Sequence, residues 1–142
     1  MSTWVPWAVL SAFFAGITAV LAKKGVEGVD SNLATAIRTC VVVVFTWLMV
    51  LIATPTPARA LSALSRQTWI FLALSGLATG LSWLCYFRAL QLGPASKVAP
   101  VDKLSVVFAI ALAALLLHEK LSWQQWCGGA LILLGALVLA WK

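Results

Sequence analysis

The chain has 142 residues, of which 63% are hydrophobic and only 10% are charged, and its formal net charge is +6. Its mean hydropathy of +1.01 excludes an ordinary soluble domain, since such domains are only about half apolar. The basic residues stand singly rather than in a clustered stripe, so no nucleic-acid partner is expected. The composition therefore predicts an all-α polytopic membrane protein that forms a single transmembrane domain over residues 1–142.

Five apolar segments follow one another along the chain, and each is long enough to cross a bilayer as a helix. The predicted spans cover about residues 4–22, 33–53, 68–92, 95–117 and 123–141. They are separated by a lysine pair, two prolines, a Gly-Pro step and a charged turn, namely Lys23-Lys24, Pro55 and Pro57, Gly93-Pro94, and His118-Glu119-Lys120. Ser122 and Gln125 predict a capping box at the start of the fifth span. An odd number of spans places the two chain ends on opposite sides of the membrane.

The fourth span carries the sequence Pro100-Val101-Asp102-Lys103 near its middle. Pro100 has no N–H to bond the carbonyl of the preceding turn, so a kink is predicted there, and kinked helices are where transporters build their sites. Lys103 lies about 12 Å inside the span and is the strongest candidate for substrate binding. Asp102 is a candidate for proton coupling or for an ion pair. Because adjacent helical residues point about 100° apart, Asp102 and Lys103 do not face each other squarely, and one or both are expected to have partners elsewhere. Lys103 is expected either to hold the substrate or to pair with Asp102.

Other polar and aromatic residues of the spans are further candidates for substrate binding. Arg38 and Arg88 each lie about one helical turn inside a span, and the alternative for both is to reach the headgroups as anchors. Trp83 and Tyr86 lie deeper in the third span, where they line a cavity or, alternatively, pack against helices or lipid. The spans hold three cations but one carboxylate, which favours an anionic substrate. The alternative is a structural pair of Asp102 with an arginine, with the other cations at the interface.

Small residues predict where helices approach one another closely. Gly76 and Gly80 are four residues apart in the third span, and Gly128 and Gly135 are seven apart in the fifth. Each pair predicts either a dimer seam or packing within one subunit. No catalytic Ser/His/Asp or Cys/His arrangement, no phosphate-binding glycine loop and no metal-ligand spacing occurs, so neither an enzyme nor a cofactor is expected.

The loops and tails carry almost no charge bias that would fix an orientation. One side bears four basic residues and the other three: Lys23, Lys24, Lys97 and Lys142 against Arg59, Arg66 and Lys120. Such a chain is expected to insert both ways and to pair with an inverted second copy. If Arg38, Arg88 and Lys103 count as anchors, the ratio becomes seven against three and predicts one orientation with the N-terminus outside.

The stretches 86–100, 105–122 and 126–135 resemble the EamA-type domain of the drug/metabolite transporter superfamily. The resemblance implies one five-helix EamA-like repeat unit. Larger members carry two such units in opposite orientation within one chain, and the four-helix relatives of the small multidrug resistance type work as antiparallel dimers. Those exporters use a glutamate in the first helix, which the first span here lacks, so their cation-export chemistry is not transferred.

Together these features predict a multi-pass protein of the plasma (inner) membrane that acts as a secondary transporter of a small metabolite, with an anionic one favoured. It is expected to work by alternating access as an antiparallel dimer with a second copy of itself. The alternative is a non-transporting accessory subunit of a larger transporter or flippase.

Overall fold

A computed structural model of the chain describes residues 3–141, which form seven helices and no strand. The helices are α1 (Val5–Gly25), α2 (Ser31–Ala53), α3 (Pro57–Ser62), α4 (Arg66–Leu92), α5 (Ala95–Asp102), α6 (Ser105–Leu116) and α7 (Trp123–Ala140). Five segments are long and apolar enough to cross a membrane: α1, α2, α4, α5 together with α6, and α7. The predicted class, an all-α polytopic membrane protein with five spans, is confirmed.

The surface of the chain is apolar and its interior holds mostly small side chains. Nearly all of the large hydrophobic residues of the spans are exposed. The buried apolar residues are Ala19, Ala22, Val26, Ala34, Phe87, Leu90 and Ala136. Lipid tails are as apolar as leucine, so the helices gain little by hiding large side chains from them and associate through small residues and close packing. This distribution fits a protein that is solvated by a bilayer.

Side-chain caps fix the starts of two spans. Asp30 caps α2, because its carboxylate accepts the backbone N–H groups of Asn32 and Leu33, both at 3.0 Å. The helix therefore begins slightly before the predicted span. At α7, Ser122 and Gln125 form the predicted capping box, with the Ser122 N–H donating to the Gln125 side chain at 2.7 Å.

The interval between the second and third spans contains a helix that the sequence analysis treated as loop. Pro57 opens α3, where its fixed φ suits the first helical position and its missing N–H costs no bond. The following Ala-Arg-Ala-Leu run consists of good helix formers, which explains why one and a half turns form here. After α3, the Ser65 hydroxyl accepts the Thr68 N–H at 3.1 Å at the start of α4.

The fourth span is divided into two helices, and the division follows Pro100 rather than coinciding with it. Pro100 lies inside α5, which ends at Asp102, and α6 begins at Ser105. Between them the N–H of Lys103 donates to the Pro100 carbonyl at 3.1 Å, and the N–H of Leu104 to the Val101 carbonyl at 3.0 Å. These tighter bonds, to the third preceding residue, are typical of a helix end. The predicted kink is thus a break at residues 103–104.

Residues 3–24 and 89–141 form one compact unit, which contains the last turn of α4, the two halves of the fourth span and α7. Here α7 packs against both α5 and α6. The buried face of α7 holds Gly129 and Ala136, and a Cβ on Gly129 would lie 3.5 Å from Cδ1 of Ile110. Gly128 and Gly135 lie beside this face, and a Cβ on either would have no neighbour within 4 Å in the described part of this unit. Their assignment to a dimer seam stays a prediction.

Lys23 connects the end of α1 to the junction of α4 and α5 in the same unit. Its Nζ donates to the carbonyl of Leu90 at 2.7 Å and to the carbonyl of Gly93 at 3.1 Å. The last carbonyls of a helix have no partner within it, and a cation there also meets the negative end of the helix dipole. The Lys23 ammonium therefore caps α4 from another helix.

The second compact unit, Gly25–Arg88, contains α2, α3 and most of α4. Its buried polar residues are Ser31 and Thr35, and the Thr35 hydroxyl donates to the Ser31 carbonyl of its own helix at 2.7 Å. Within the described residues of this unit, a Cβ on Gly76 or Gly80 would meet no atom within 4 Å. This glycine pair likewise makes no close helix contact inside its unit, so its packing role stays a prediction.

Candidate functional site

Asp102 and Lys103 form an ion pair at the break in the fourth span. The Nζ of Lys103 lies 3.5 Å from Oδ2 of Asp102. Of the two roles expected for Lys103, holding substrate or pairing with Asp102, the structure shows the pairing, at the residue where α5 ends. Lys103 also lies at the C-terminal end of α5, where the helix dipole favours a cation.

This ion pair is open to its surroundings. The Lys103 side chain is 55% exposed and that of Asp102 is 35% exposed. Asp102 is the last of the eight residues of α5, and the twelve residues of α6 follow the break, so the pair lies well inside the span. A half-exposed pair contributes little to stability, about 0–1 kcal/mol in a polar setting. The pair is therefore weak enough for either side chain to exchange its partner.

Arg38 on α2 stacks on two aromatic rings of α4. The guanidinium carbon lies 4.2 Å from the centroid of the Trp83 ring and 5.6 Å from that of Phe87. Trp83 and Phe87 are four residues apart, so they share one face of α4. We call this group, Arg38 with Trp83 and Phe87, the Arg38 stack.

The stacking offsets only part of the cost of placing an arginine in a span. A cationic side chain at the centre of a membrane helix costs about 2.5–3.5 kcal/mol on insertion scales. A cation–π contact returns about 0.5–2 kcal/mol, depending on how far water is excluded. Arg38 lies before the centre of α2 rather than at it, so its own cost is below this value, and the two ring contacts offset part of it.

The two remaining candidates of the third span, Tyr86 and Arg88, lie in different surroundings. Tyr86 is half-buried, and its ring centroid lies 6.4 Å from that of Phe87, next to the Arg38 stack. Arg88 is exposed, and its position five residues after Trp83 places it on another face of α4. Two of the candidates chosen from sequence, Arg38 and Trp83, are thus in contact, and their role in substrate binding stays a prediction. Phe87 was not singled out from sequence.

A cavity of about 240 Å³ lies between α2 and α3. Its lining is mainly apolar and includes Trp47, Val50 and Leu61. The hydroxyl of Thr46, also in the lining, donates to carbonyls of its own helix at 2.9 and 3.0 Å. Such a cavity suits an apolar group rather than a charged metabolite. It was missed from sequence because one of its walls is the unpredicted helix α3.

The profile of the EamA-like transporter family matches residues 2–141. The chain belongs to the EamA-like transporter family. The predicted resemblance to the drug/metabolite transporter superfamily is thereby confirmed, and the protein is a multi-pass membrane transporter.

Relatives of this EamA-like protein fall into two groups. A protein of Sinorhizobium sp. named "Uncharacterized transporter in cobO 3'region" is 51% identical over 138 residues, covering 97% of this chain and 96% of its own length. Two similar proteins are named as probable subunits ArnE of a 4-amino-4-deoxy-L-arabinose-phosphoundecaprenol flippase. The one from Pseudomonas fluorescens is 34% identical over 85 residues, covering 59% of this chain and 71% of its own. The one from Aeromonas hydrophila is 30% identical over 74 residues, covering 52% and 63%.

No solved structure matches the EamA-like chain.

Proposed function

We propose that this chain is a secondary transporter of a small metabolite in the plasma membrane, and that the break between α5 and α6 is where it contacts its substrate. The observation that carries the proposal is the half-exposed Asp102–Lys103 pair well inside the span. Discontinuous helices at the midplane present free backbone groups and helix ends to ions and substrates, which continuous helices do not. The proposed transport changes no covalent bond, so the site only binds the substrate and releases it.

Lys103 is the proposed substrate-binding cation and Asp102 its partner in the empty state. An anionic group on the substrate displaces Asp102 from Lys103, and the freed carboxylate then takes up a proton. The exchange couples substrate movement to proton movement without leaving an unpaired charge in the bilayer, whose cost is several kcal/mol. Pro100 lacks the N–H that would bond the Ser96 carbonyl, so α5 is weakened in the turn just before the break and can bend there during this cycle.

We further propose that two copies assemble in opposite orientations. Each chain is one EamA-like repeat unit of five spans, and its substrate-facing residues need a second surface to enclose a pathway. The proposal is supported by the nearly even distribution of basic residues between the two sides. Alternating access then follows from rocking of one copy against the other around the substrate.

The substitution Lys103→Ala is expected to reduce transport at least tenfold, since it removes the cation that meets the substrate. The full chain is reconstituted in proteoliposomes preloaded with a soluble extract of small metabolites, and efflux of each species is followed by mass spectrometry. Wild-type vesicles should release at least one metabolite faster than empty vesicles.

The matched control is Lys97→Ala in the same helix. Lys97 is exposed, and its Nζ lies 3.5 Å from the Trp141 carbonyl, away from the break. This variant should transport within twofold of wild type. Equal efflux from Lys103→Ala and wild-type vesicles, or no metabolite moved by the wild type, would sink the proposal.

Dual insertion is expected when paired reporters are fused to the C-terminus, one active only inside the membrane and one only outside. Both should be active for the wild-type chain, since four basic residues face three across the membrane. The double substitution Arg59→Gln and Arg66→Gln changes this ratio to four against one and should leave only the inside reporter active. Activity of a single reporter in the wild type contradicts the antiparallel homodimer.

The alternative, a subunit of a heteromeric transporter or flippase, is favoured by one observation: two relatives of this chain are named as flippase subunits. It predicts a fixed orientation and no flux from the chain alone. The reporter and proteoliposome experiments therefore separate the two functions, because a fixed and inactive chain would have to be assayed with a different, inverted partner.

A further inference from the structure

The Arg38 stack has the geometry of a preformed receptor for an oxyanion. The guanidinium carbon lies 4.2 Å from the centroid of the Trp83 ring and 5.6 Å from that of Phe87. The group carries five N–H donors in its plane. The aromatic contacts hold the side chain in place, and aromatic rings do not satisfy these donors as an oxyanion would.

The polar group of the unit that interacts electrostatically with Arg38 is the hydroxyl of Tyr86. Within residues 25–88, all of which the structure describes, no hydrogen bond or ion pair of the Arg38 guanidinium is found. The hydroxyls of Thr35 and Thr39, which flank Arg38 on α2, donate to carbonyls of their own helix at 2.7 Å each. The Asp30 carboxylate is engaged with backbone N–H groups at the start of α2.

Arg38 lies inside a membrane span, where water cannot fully replace a hydrogen-bond acceptor. Arg38 lies seven residues after the start of α2 at Ser31, about 10 Å along the helix axis. Its side chain is neither fully exposed nor buried. A guanidinium that two rings hold inside its span loses part of its hydration. A ligand group with two parallel oxygen acceptors matches the paired N–H donors of the guanidinium.

We propose that the Arg38 stack binds an oxyanion, a carboxylate or a phosphate, through the edge of the guanidinium. The proposal rests on the proposed function in one respect: it assigns the anionic group to the transported molecule, or to a lipid phosphodiester that the chain recognises. Trp83 and Phe87 are positioning residues, which keep the guanidinium flat and oriented. A lysine at this position has a point charge and no planar face, so it is a poorer receptor.

Binding is measured on the full chain purified in a maltoside detergent, which contributes no phosphate or carboxylate. The soluble probes are inorganic phosphate and succinate, followed by line broadening in ligand-observed NMR. The lipid probe is phosphatidylglycerol, whose retention is followed by native mass spectrometry. These two arms separate a soluble anion from a lipid headgroup as the source of the same chemistry.

The substitution Arg38→Gln should weaken binding of at least one probe about tenfold or more, since a hydrogen bond to a charged group contributes that much. Arg38→Lys should lower the affinity for the probe several-fold. Trp83→Leu keeps the cation but removes the ring that supports it, and should also weaken binding. The control is Arg59→Gln, which removes an exposed arginine of the same unit that has no aromatic contact within the described residues. It should bind like wild type.

Loss of a soluble probe or of phosphatidylglycerol, specific to the Arg38 and Trp83 variants, supports the proposal. If Arg38→Gln does not fold, Arg38→Lys and Trp83→Leu decide it. Absence of binding by the wild-type chain, or equal binding by the stack variants and Arg59→Gln, overturns it and leaves Arg38 as a packing residue. The binding assay does not depend on transport. A failure of the oxyanion proposal is therefore distinguishable from a failure of the proposed transport function, which the Lys103 flux experiment tests.

Discussion

Replacing Leu90 by alanine is expected to destabilise the folded chain by about 2–3 kcal/mol. The Leu90 side chain is fully buried, with 0% of its surface exposed, in the last turns of α4. Removal of its methyl groups leaves a cavity beside the helix end that Lys23 caps through the Leu90 carbonyl. In a membrane protein little is gained by excluding water, so the cost comes from lost packing and lies in the lower part of the range measured for soluble cores.

The matched control is Leu92→Ala in the same helix. Leu92 is 75% exposed, so the same change in side-chain volume removes almost no packing. It should alter stability by less than about 0.5 kcal/mol, as is usual for exposed positions. Reversible unfolding of both variants in mixed detergent measures the two effects side by side. Similar losses from both substitutions would show that Leu90 does not lie in a packed core.

The fold class could be predicted from sequence because hydropathy and length alone decide it. Each span needs about 20 apolar residues, and the chain contains five such runs separated by charges, prolines or glycine. The capping box at Ser122 could also be predicted, since it depends on residues three apart in sequence. The short helix α3 was not expected, because two prolines and two arginines in one interval favour a loop.

The residues of the candidate site were chosen from sequence, and their role in binding stays a prediction. The cluster from Pro100 to Lys103 indicated a kink, since proline and charges together are unfavourable in a continuous span. Whether Lys103 pairs with Asp102 could not be decided from sequence, because that contact depends on how the side chains are placed at the end of α5. The Arg38 stack likewise requires two helices to be placed side by side, which no spacing along the sequence specifies.

The role of Lys23 in the structure differs from the role that its place in the sequence suggests. By sequence it belongs to a lysine pair that ends a span and contributes to orientation. In the structure its ammonium is bound by two carbonyls at the junction of α4 and α5. A residue that is engaged in this way both anchors the chain in the bilayer and connects α1 to the helix that leads into the Asp102–Lys103 break.

The substitution Lys23→Met is expected to cost about 2–4 kcal/mol of stability. It keeps an apolar stem of similar length but removes two charge-assisted hydrogen bonds, of 2.7 and 3.1 Å. One such bond contributes about 1.5–3 kcal/mol, and the longer of the two contributes less than the shorter. Lys97→Met is the control, because the contact of Lys97 with the Trp141 carbonyl, at 3.5 Å, is long and exposed. Unfolding in mixed detergent compares the two variants, and hydrogen exchange of the Gly93 region reports whether the junction loosens.

Lys23→Arg should recover part of the loss, since a guanidinium also donates to carbonyls. The junction has little room to adjust in its place: a Cβ on Gly93 would lie 3.1 Å from Cγ2 of Val98, so the chain is already closely packed where the Lys23 ammonium binds. Faster exchange around Gly93 together with lower stability would identify Lys23 as the cap that holds α5 in position. If Lys23→Met and Lys97→Met unfold alike and the Gly93 region exchanges as in wild type, the two carbonyl contacts contribute nothing to the fold, and α5 must be positioned by its packing on α7 alone.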